Sequence, residues 1–311
     1  MRKLFPLMQP IATHRLPTQK EWIHQIKYDG IRLLCVVQDS KVQLWTRKQN
    51  NRNTQYPELL QISNFISAKS FILDGEVIVR SKENKPTFSL ILKRDRNINP
   101  IQIHNLIDTH PLEYHLFDIL MKDGQDLRNH PLEDRLQILS NIIMPNEQFF
   151  LVQSHSNGQL LWEQIKKNGW EGVVSKKLGS SYMYGKKHQA WYKSKVKQER
   201  LCVVGGIQYK ANYPNSLLLG NYLHDQLLYI GKASTGLSSH DFQLLHQYVP
   251  QLEQQLSPFV NPPLQQLPIK WIQPLLTIQV QYTEKTDDGL MRHPIILGFT
   301  SSPANEARWE I

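Results

Sequence analysis

The chain of 311 residues is long enough for two domains with separate cores, and its charged fraction of 20% is that of an ordinary globular protein. With 36 Lys+Arg against 27 Asp+Glu it carries a formal charge of +9, which points to a polyanionic partner, nucleic acid before an anionic membrane. Cys35 and Cys202 lie far apart in apolar runs, without a Cys-x-x-Cys or His-x-x-x-His pair, so they read as reduced core residues of a cytoplasmic protein rather than zinc ligands. No apolar stretch reaches about 18 residues and no signal-peptide core stands at the N-terminus, so neither a membrane nor export is expected.

Residues 1–20, with Pro6, Pro10 and Pro17, read as an extended arm. Strand patterns follow at 22–28, 31–38 and 41–46, the last two joined by a tight turn at Asp39-Ser40. Between the first two lies Lys27-Tyr28-Asp29-Gly30-Ile31-Arg32. A lysine at a strand end, just before a turn-forming Asp-Gly pair, has a fixed stem and an accessible amine. Taken alone, it reads first as a solvated lysine beside a hairpin turn. Pro57 opens a helix running to about Ile66, with Leu59, Leu60, Ile62 and Ile66 at near-helical spacing.

Residues 71–79 read as two apolar strands flanking Asp74-Gly75-Glu76, and 81–110 as irregular and basic, with Lys93, Arg94 and Arg96 close together. A buried strand at 114–120 carries Phe117-Asp118; helices are expected at 131–143 and 159–168. Glu171 enters a strand ending at Lys177, and a Gly/Ser/Tyr/Lys loop leads on to Trp191-Tyr192-Lys193-Ser194-Lys195. Beyond Gln198 short strands at 201–209, 216–223 and 226–233 precede a helix at 239–254, a proline-rich crossing and further strands at 269–282 and 291–299. Such a set suits a small OB-type β-barrel, and places the domain boundary near 196–200.

Five polar clusters thus sit at strand ends of the larger domain: Lys27 to Arg32, Arg47, Asp74-Gly75-Glu76, Phe117-Asp118, and Glu171 with Lys193 and Lys195. Converging on one cleft they would supply a nucleophile, two carboxylates, an aromatic platform and several cations. That inventory fits lysine attack on a nucleotide phosphate. Singly each cluster has an ordinary reading, as a hairpin turn, a core phenylalanine or a solvated strand face.

The order Lys-Tyr-Asp-Gly-Ile-Arg, Asp-Gly-Glu, Phe-Asp, Glu-Gly-Val-Val-Ser-Lys and Trp-Tyr-Lys-Ser-Lys resembles the ATP-dependent DNA ligases of the covalent nucleotidyltransferase superfamily, the bacterial end-joining group above all. The resemblance covers most of the chain. It implies an α+β fold, with an adenylation domain of antiparallel sheets and flanking helices over 1–196 and an OB-fold domain over 197–311. By that similarity Lys27 takes AMP from ATP. Gln25, Arg32, Arg47, Glu76, Phe117, Lys193 and Lys195 would hold the nucleotide, with Phe117 stacked on adenine. Glu171, with Glu76, would bind Mg2+ or Mn2+. Partners would be nicked or broken duplex DNA and a DNA-end-binding repair protein, for a monomer in the bacterial cytosol or nucleoid. The alternatives are an RNA ligase or capping-type nucleotidyltransferase, and a non-catalytic nucleic-acid-binding relative.

The chemistry needs a neutral amine, whereas lysine's ordinary pKa of about 10.4 leaves about one in a thousand neutral at about pH 7.4, a cost of roughly 4 kcal/mol. Lys193, Lys195 and a metal cation are expected to lower it. The sequence also departs from the family. Gln25 stands where glutamate is usual, Arg47-Lys48-Gln49-Asn50 lacks the glycine of Arg-x-Gly, and Thr300-Ser301-Ser302 replaces an Arg-x-Asp-Lys element for the outgoing pyrophosphate. Lys210, Lys232 or Arg308 are candidate substitutes.

Overall fold

The computed structural model describes residues 6–210, 213–264, 267–286 and 288–309. They fall into two compact units that divide between Val196 and Lys197. The N-terminal unit contains β1 (Gln9–Ala12), β2 (Trp22–Lys27), β3 (Ile31–Gln38), β4 (Lys41–Thr46), β5 (Phe71–Ile78), β6 (Glu113–Lys122), β7 (Gln125–Asp126), β8 (Phe149–Leu151), β9 (Gly172–Lys177) and β10 (Lys187–Lys195). Its helices are α1 (Phe88–Asp95), α2 (Pro100–Thr109), α3 (Leu132–Ile142) and α4 (Gly158–Lys167). One sheet runs β4-β3-β5-β6-β7, with β8 parallel to β6; the other runs β1-β10-β9-β2, with β1 parallel to β10.

Strand β3 shows why the two sheets stack. Leu33, Cys35 and Val37 point into a core with Leu73, Tyr114, Leu116 and Phe149, closed by Leu59 and Ile62 of a 3-10 helix at Pro57–Phe65. Leu34, on the other face, joins Met8, Leu120, Tyr182 and Trp191, so the first sheet is covered on both sides. Each fully buried side chain of this size contributes about 1.5–3 kcal/mol. The Asp39-Ser40 turn forms as expected, both residues taking positive φ (50° and 58°), the geometry that matches strand twist in a two-residue hairpin.

Three elements differ from the sequence reading. The arm is not wholly extended coil, because Gln9–Ala12 pairs with β10; residues 1–5 lie outside the described residues. Residues 71–78 form one continuous strand, and the Asp-Gly-Glu segment is accommodated by a register shift against β6 between Asp74 and Gly75. Residues 81–110 are not irregular but hold α1 and α2. Asn99 caps α2, accepting from the Ile101 and Gln102 amides, and Pro100 occupies its first turn. The anchor of α1 is charged: the Arg94 guanidinium is buried and donates to the carbonyls of Gln55, Leu106 and His110 and to Glu58.

In the C-terminal unit β11 (Gln198–Lys210), β12 (Tyr213–Leu223) and β13 (Gln226–Ala233) form a meander followed by α5 (Ser239–Leu252). Then come β14 (Glu253–Gln254), β15 (Ile269–Tyr282), β16 (Glu284–Lys285), β17 (Met291–Arg292) and β18 (Ile295–Thr300). The sheet order is β13-β12-β11-β15-β14, with β18 added on β15, and it curls around Cys202, Val204, Leu219, Ile230, Leu245, Ile278 and Ile296. This is the OB-type arrangement expected. Ser238 and Asp241 cap α5 reciprocally. Both cysteines are buried and free. Among the described residues no helix is long and apolar enough to cross a membrane.

Candidate active site

The two sheets of the N-terminal unit enclose a cavity of about 540 Å³, lined among others by Gln25, Lys27, Arg32, Arg47, Glu76 and Phe117, with Lys176, Trp191 and Lys193. Register explains the convergence. Gly172 pairs with Lys27 on one side and with Lys195 on the other, so Glu171, one residue earlier, falls between two lysines. Its Oε2 accepts from Lys27 Nζ at 2.6 Å, and its Oε1 lies 2.6 Å from Lys195 Nζ. A Cβ on Gly172 would lie 2.0 Å from the Ser194 carbonyl, and the backbone φ of +157° is one that side chains rarely adopt. Gly30, in the Asp-Gly turn, is required for space: a Cβ there would meet the Val77 carbonyl at 2.3 Å.

The expected lowering of the Lys27 pKa is not what this arrangement gives. Burial pulls it down, but the charges of Glu171 and Glu76 outweigh that, and the amine stands above the usual lysine range. Lys193 is lowered instead, through burial and then the charges of Lys27 and Lys195. Glu76 is pushed up to about 8 by burial, against the opposing pull of Lys27 and Arg32.

Arg32 lines the cavity, but Asp74 holds its guanidinium: Nε donates to Oδ1 at 2.9 Å and Nη2 to Oδ2 at 2.6 Å. Nη1 donates to the Met8 carbonyl at 2.6 Å, and the Tyr182 hydroxyl donates to Asp74 Oδ2 at 2.7 Å. Gln25 is buried and its amide nitrogen donates to Ser154 Oγ at 3.1 Å. The Phe117 ring stands edge-on to Trp191, centroids 6.2 Å apart.

Sequence reasoning left Lys176 and Asp74 without a role. Lys176 Nζ sits 4.2 Å from the Phe117 ring centroid and 4.4 Å from that of Trp191, and donates to the Phe117 carbonyl at 3.1 Å. Burial brings its pKa down to about 7 against the pull of Asp118 and Asp74. Strand alternation was the available signal: Val174 and Lys176 share the cavity-facing side of β9.

Residues 8–195 match the ATP dependent DNA ligase domain, and residues 210–301 the ATP dependent DNA ligase C terminal region. The chain belongs to the ATP-dependent DNA ligase family. The multifunctional non-homologous end joining protein LigD of Mycolicibacterium smegmatis is 26% identical over 299 residues, which cover 94% of this chain and 38% of that protein. Its counterpart in Pseudomonas aeruginosa is 27% identical over 310 residues, 94% of this chain and 35% of the relative. The chain thus spans little more than a third of the length of these relatives. A solved structure of mycobacterial DNA ligase D complexed with ATP and MES aligns with a TM-score of 0.53 at 26% identity, covering 98% of both chains. A Lig E DNA ligase structure shares the fold, with a TM-score of 0.62 at 17% identity over 96% of this chain and 100% of that one.

The departures from the family pattern have structural counterparts. Where the glycine of Arg-x-Gly is missing, Gln49 itself takes a left-handed φ of +62°, and its amide donates to the Thr46 carbonyl at 2.8 Å. In the C-terminal unit Thr277 Oγ1 donates to the Ser302 carbonyl at 2.7 Å and lies 3.0 Å from Thr300 Oγ1, so the Thr300-Ser301-Ser302 segment is bonded into the barrel. Among the candidate substitutes, Lys232 donates to Gln208 and Arg308 to the Asn305 carbonyl.

Proposed function

We propose that the chain is an ATP-dependent DNA ligase that seals nicks or joined ends in duplex DNA through a lysyl-AMP on Lys27. The observation that carries this reading is the Lys27–Glu171–Lys195 bridge, whose Lys27 lines the same cavity as Arg32, Arg47, Glu76, Phe117 and Lys193. In the charging step Lys27 Nζ forms a bond to the α-phosphorus of ATP as the bond to the pyrophosphate oxygen breaks. The proton that the amine must lose has an acceptor within reach, Glu171 Oε2. Lys193 and Arg47 face developing phosphate charge, Phe117 offers a stacking face for adenine, and Gln25 offers its amide to the base edge. AMP then passes to the 5′-phosphate of the break, and the 3′-hydroxyl displaces it.

Among the described residues no cluster of three or more His, Cys, Asp or Glu forms a ready-made metal cage. The donor set fits instead a hard divalent ion, Mg2+ or Mn2+, which Glu171 and Glu76 would hold. Such an ion would neutralise phosphate charge. Breaks presented by a DNA-end-binding protein, in the cytoplasm of a bacterium, are the setting that the end-joining relatives suggest.

The test is charging with α-labelled ATP and Mg2+ or Mn2+ after pretreatment with pyrophosphate. A denaturation-stable label is expected on the wild type and none on Lys27→Ala, and the charged protein should seal nicked duplex in preference to nicked RNA. Label retained in Lys27→Ala would overturn the assignment of the nucleophile. Sealing of pre-adenylated nicks without any self-charging would support a second reading, favoured by the Thr300-Ser301-Ser302 segment, of a ligase lacking the charging step.

A further inference from the structure

Strand alternation gives the β1-β10-β9-β2 sheet a second face. Gln25, Lys27 and Lys193 line the cavity described above, whereas His24 and Ser194, their neighbours in sequence, line another cavity of about 620 Å³ on the opposite side. Its remaining wall comes from the arm at 14–18 and from the start of α4, residues 156–159, with Trp162.

Four features of this cavity converge. Asn157 caps the Gln159 and Leu160 amides of the ten-residue α4, which leaves the Gly158 amide, at the first helical position, pointing out of the helix end. Gly158 lets that end approach closely, since a Cβ there would lie 2.7 Å from the His24 ring. Ser194 is 3% exposed, and its hydroxyl is buried with no hydrogen-bond partner among the described residues. Finally, the lining includes Arg15 and His14 but no carboxylate. A helix N-terminus, an unsatisfied buried hydroxyl and an arginine, unopposed by negative charge, form the recognition set of an oxyanion.

We propose that this cavity is a phosphate-binding site separate from the adenylation cavity, with Arg15, Ser194 and the Gly158 amide as its donors and a phosphate monoester or diester group as its ligand. Its chemistry does not depend on the ligase assignment. Arg15 supplies the charge, and Ser194 gains the partner that the fold denies it. The Gly158 amide adds a donor aligned with the helix dipole. The phosphate comes from a nucleic-acid backbone or from a free phosphorylated molecule, and both sources present the same oxygens.

The test titrates the full chain with inorganic phosphate in chloride buffer while backbone amide shifts are followed by NMR. Saturable shifts at Gly158 and Gln159 are expected. Exposed Arg15 tolerates charge reversal, so Arg15→Glu should fold normally and weaken binding at least about tenfold, as loss of a charge-assisted hydrogen bond does. Ser194→Ala should weaken it less. Shifts confined to strand residues around Lys27 and Lys193, or undiminished in Arg15→Glu, would overturn the site. A second arm measures binding of a nicked duplex across a salt series. A shallower salt dependence in Arg15→Glu supports the site with a DNA phosphate as ligand, and an unchanged one, with phosphate binding lost, supports it with a free anion.

Discussion

Asp74 is where the stability of the N-terminal unit and the readiness of its cavity meet. It is fully buried, accepts two hydrogen bonds from Arg32 and one from Tyr182, and keeps the Arg32 guanidinium protonated against the effect of burial. Asp74→Ala leaves Arg32, whose side chain is 14% exposed, without a carboxylate hydrogen-bond partner among the described residues, keeping the Met8 carbonyl and the Tyr182 hydroxyl. Removing one partner of such a pair costs about 3–5 kcal/mol, which for a unit of this size is roughly 6–20 °C in melting temperature. Asp74→Asn, which keeps the shape and one acceptor, should lose less. Replacing both partners, Arg32→Met with Asp74→Leu, should recover part of the loss, because an apolar pair leaves no buried charge unpaired. Thermal unfolding of the four proteins measures this directly. If Asp74→Ala melts within about 2 °C of the wild type, the pair is not holding Arg32, and the account of its fixed position fails.

Other perturbations address the reacting groups. Because Lys27 stands above the usual lysine range, its neutral fraction should climb about tenfold per pH unit through neutrality. Single-turnover charging should follow that slope, and a plateau below about pH 8 would show that the bound nucleotide has already lowered the amine's pKa. Gly172→Ala forces a Cβ against the Ser194 carbonyl, and should cost about 1–3 kcal/mol in stability and reduce charging by separating Glu171 from its lysines. Charging that stays at the wild-type rate would break the link between that register and the site. Lys176 has a folded pKa of about 7 against 10.5 for the free side chain, so the unfolded chain binds more protons between those values. Stability of the wild type relative to Lys176→Met should therefore rise with pH over that interval, and parallel pH profiles would contradict the burial of a charged Lys176.

Most strands were legible because their apolar residues alternate, and the Asp39-Ser40 and Asp29-Gly30 turns because those pairs favour turns, whereas Asp74-Gly75 runs on inside β5. The order of the short motifs carried the site, since residues 27, 76, 117, 171 and 193 meet only after folding. Part of what stayed hidden has polar anchors. Helix α1 buries Ile91 beside Arg94, whose partners lie on two other segments, 55–58 and 106–110, and a buried arginine is not read as a core residue from sequence. Lys176 reads as a surface lysine until Phe117 and Trp191, distant in sequence, close over it. Gln49, where the family pattern has glycine, takes a left-handed φ that its residue type does not announce.

The direction of the Lys27 shift shows why a list of motif residues does not fix reactivity. The neighbouring lysines suggested a depressed amine, but Gly172 sets a register in which the Glu171 carboxylate reaches Lys27 and Lys195 together. One carboxylate thereby opposes two lysines while Lys193 and Arg47 remain on the cavity wall, which leaves an excess of positive charge suited to a polyphosphate. The same bridge keeps Lys27 protonated. A ligand that takes up the Glu171 carboxylate removes the strongest influence raising the Lys27 pKa and exposes the amine to Lys193 and Lys195. In the proposed charging reaction, a nucleotide that drew off Glu171 would therefore lower the Lys27 pKa, and the pH dependence of charging reads that coupling directly.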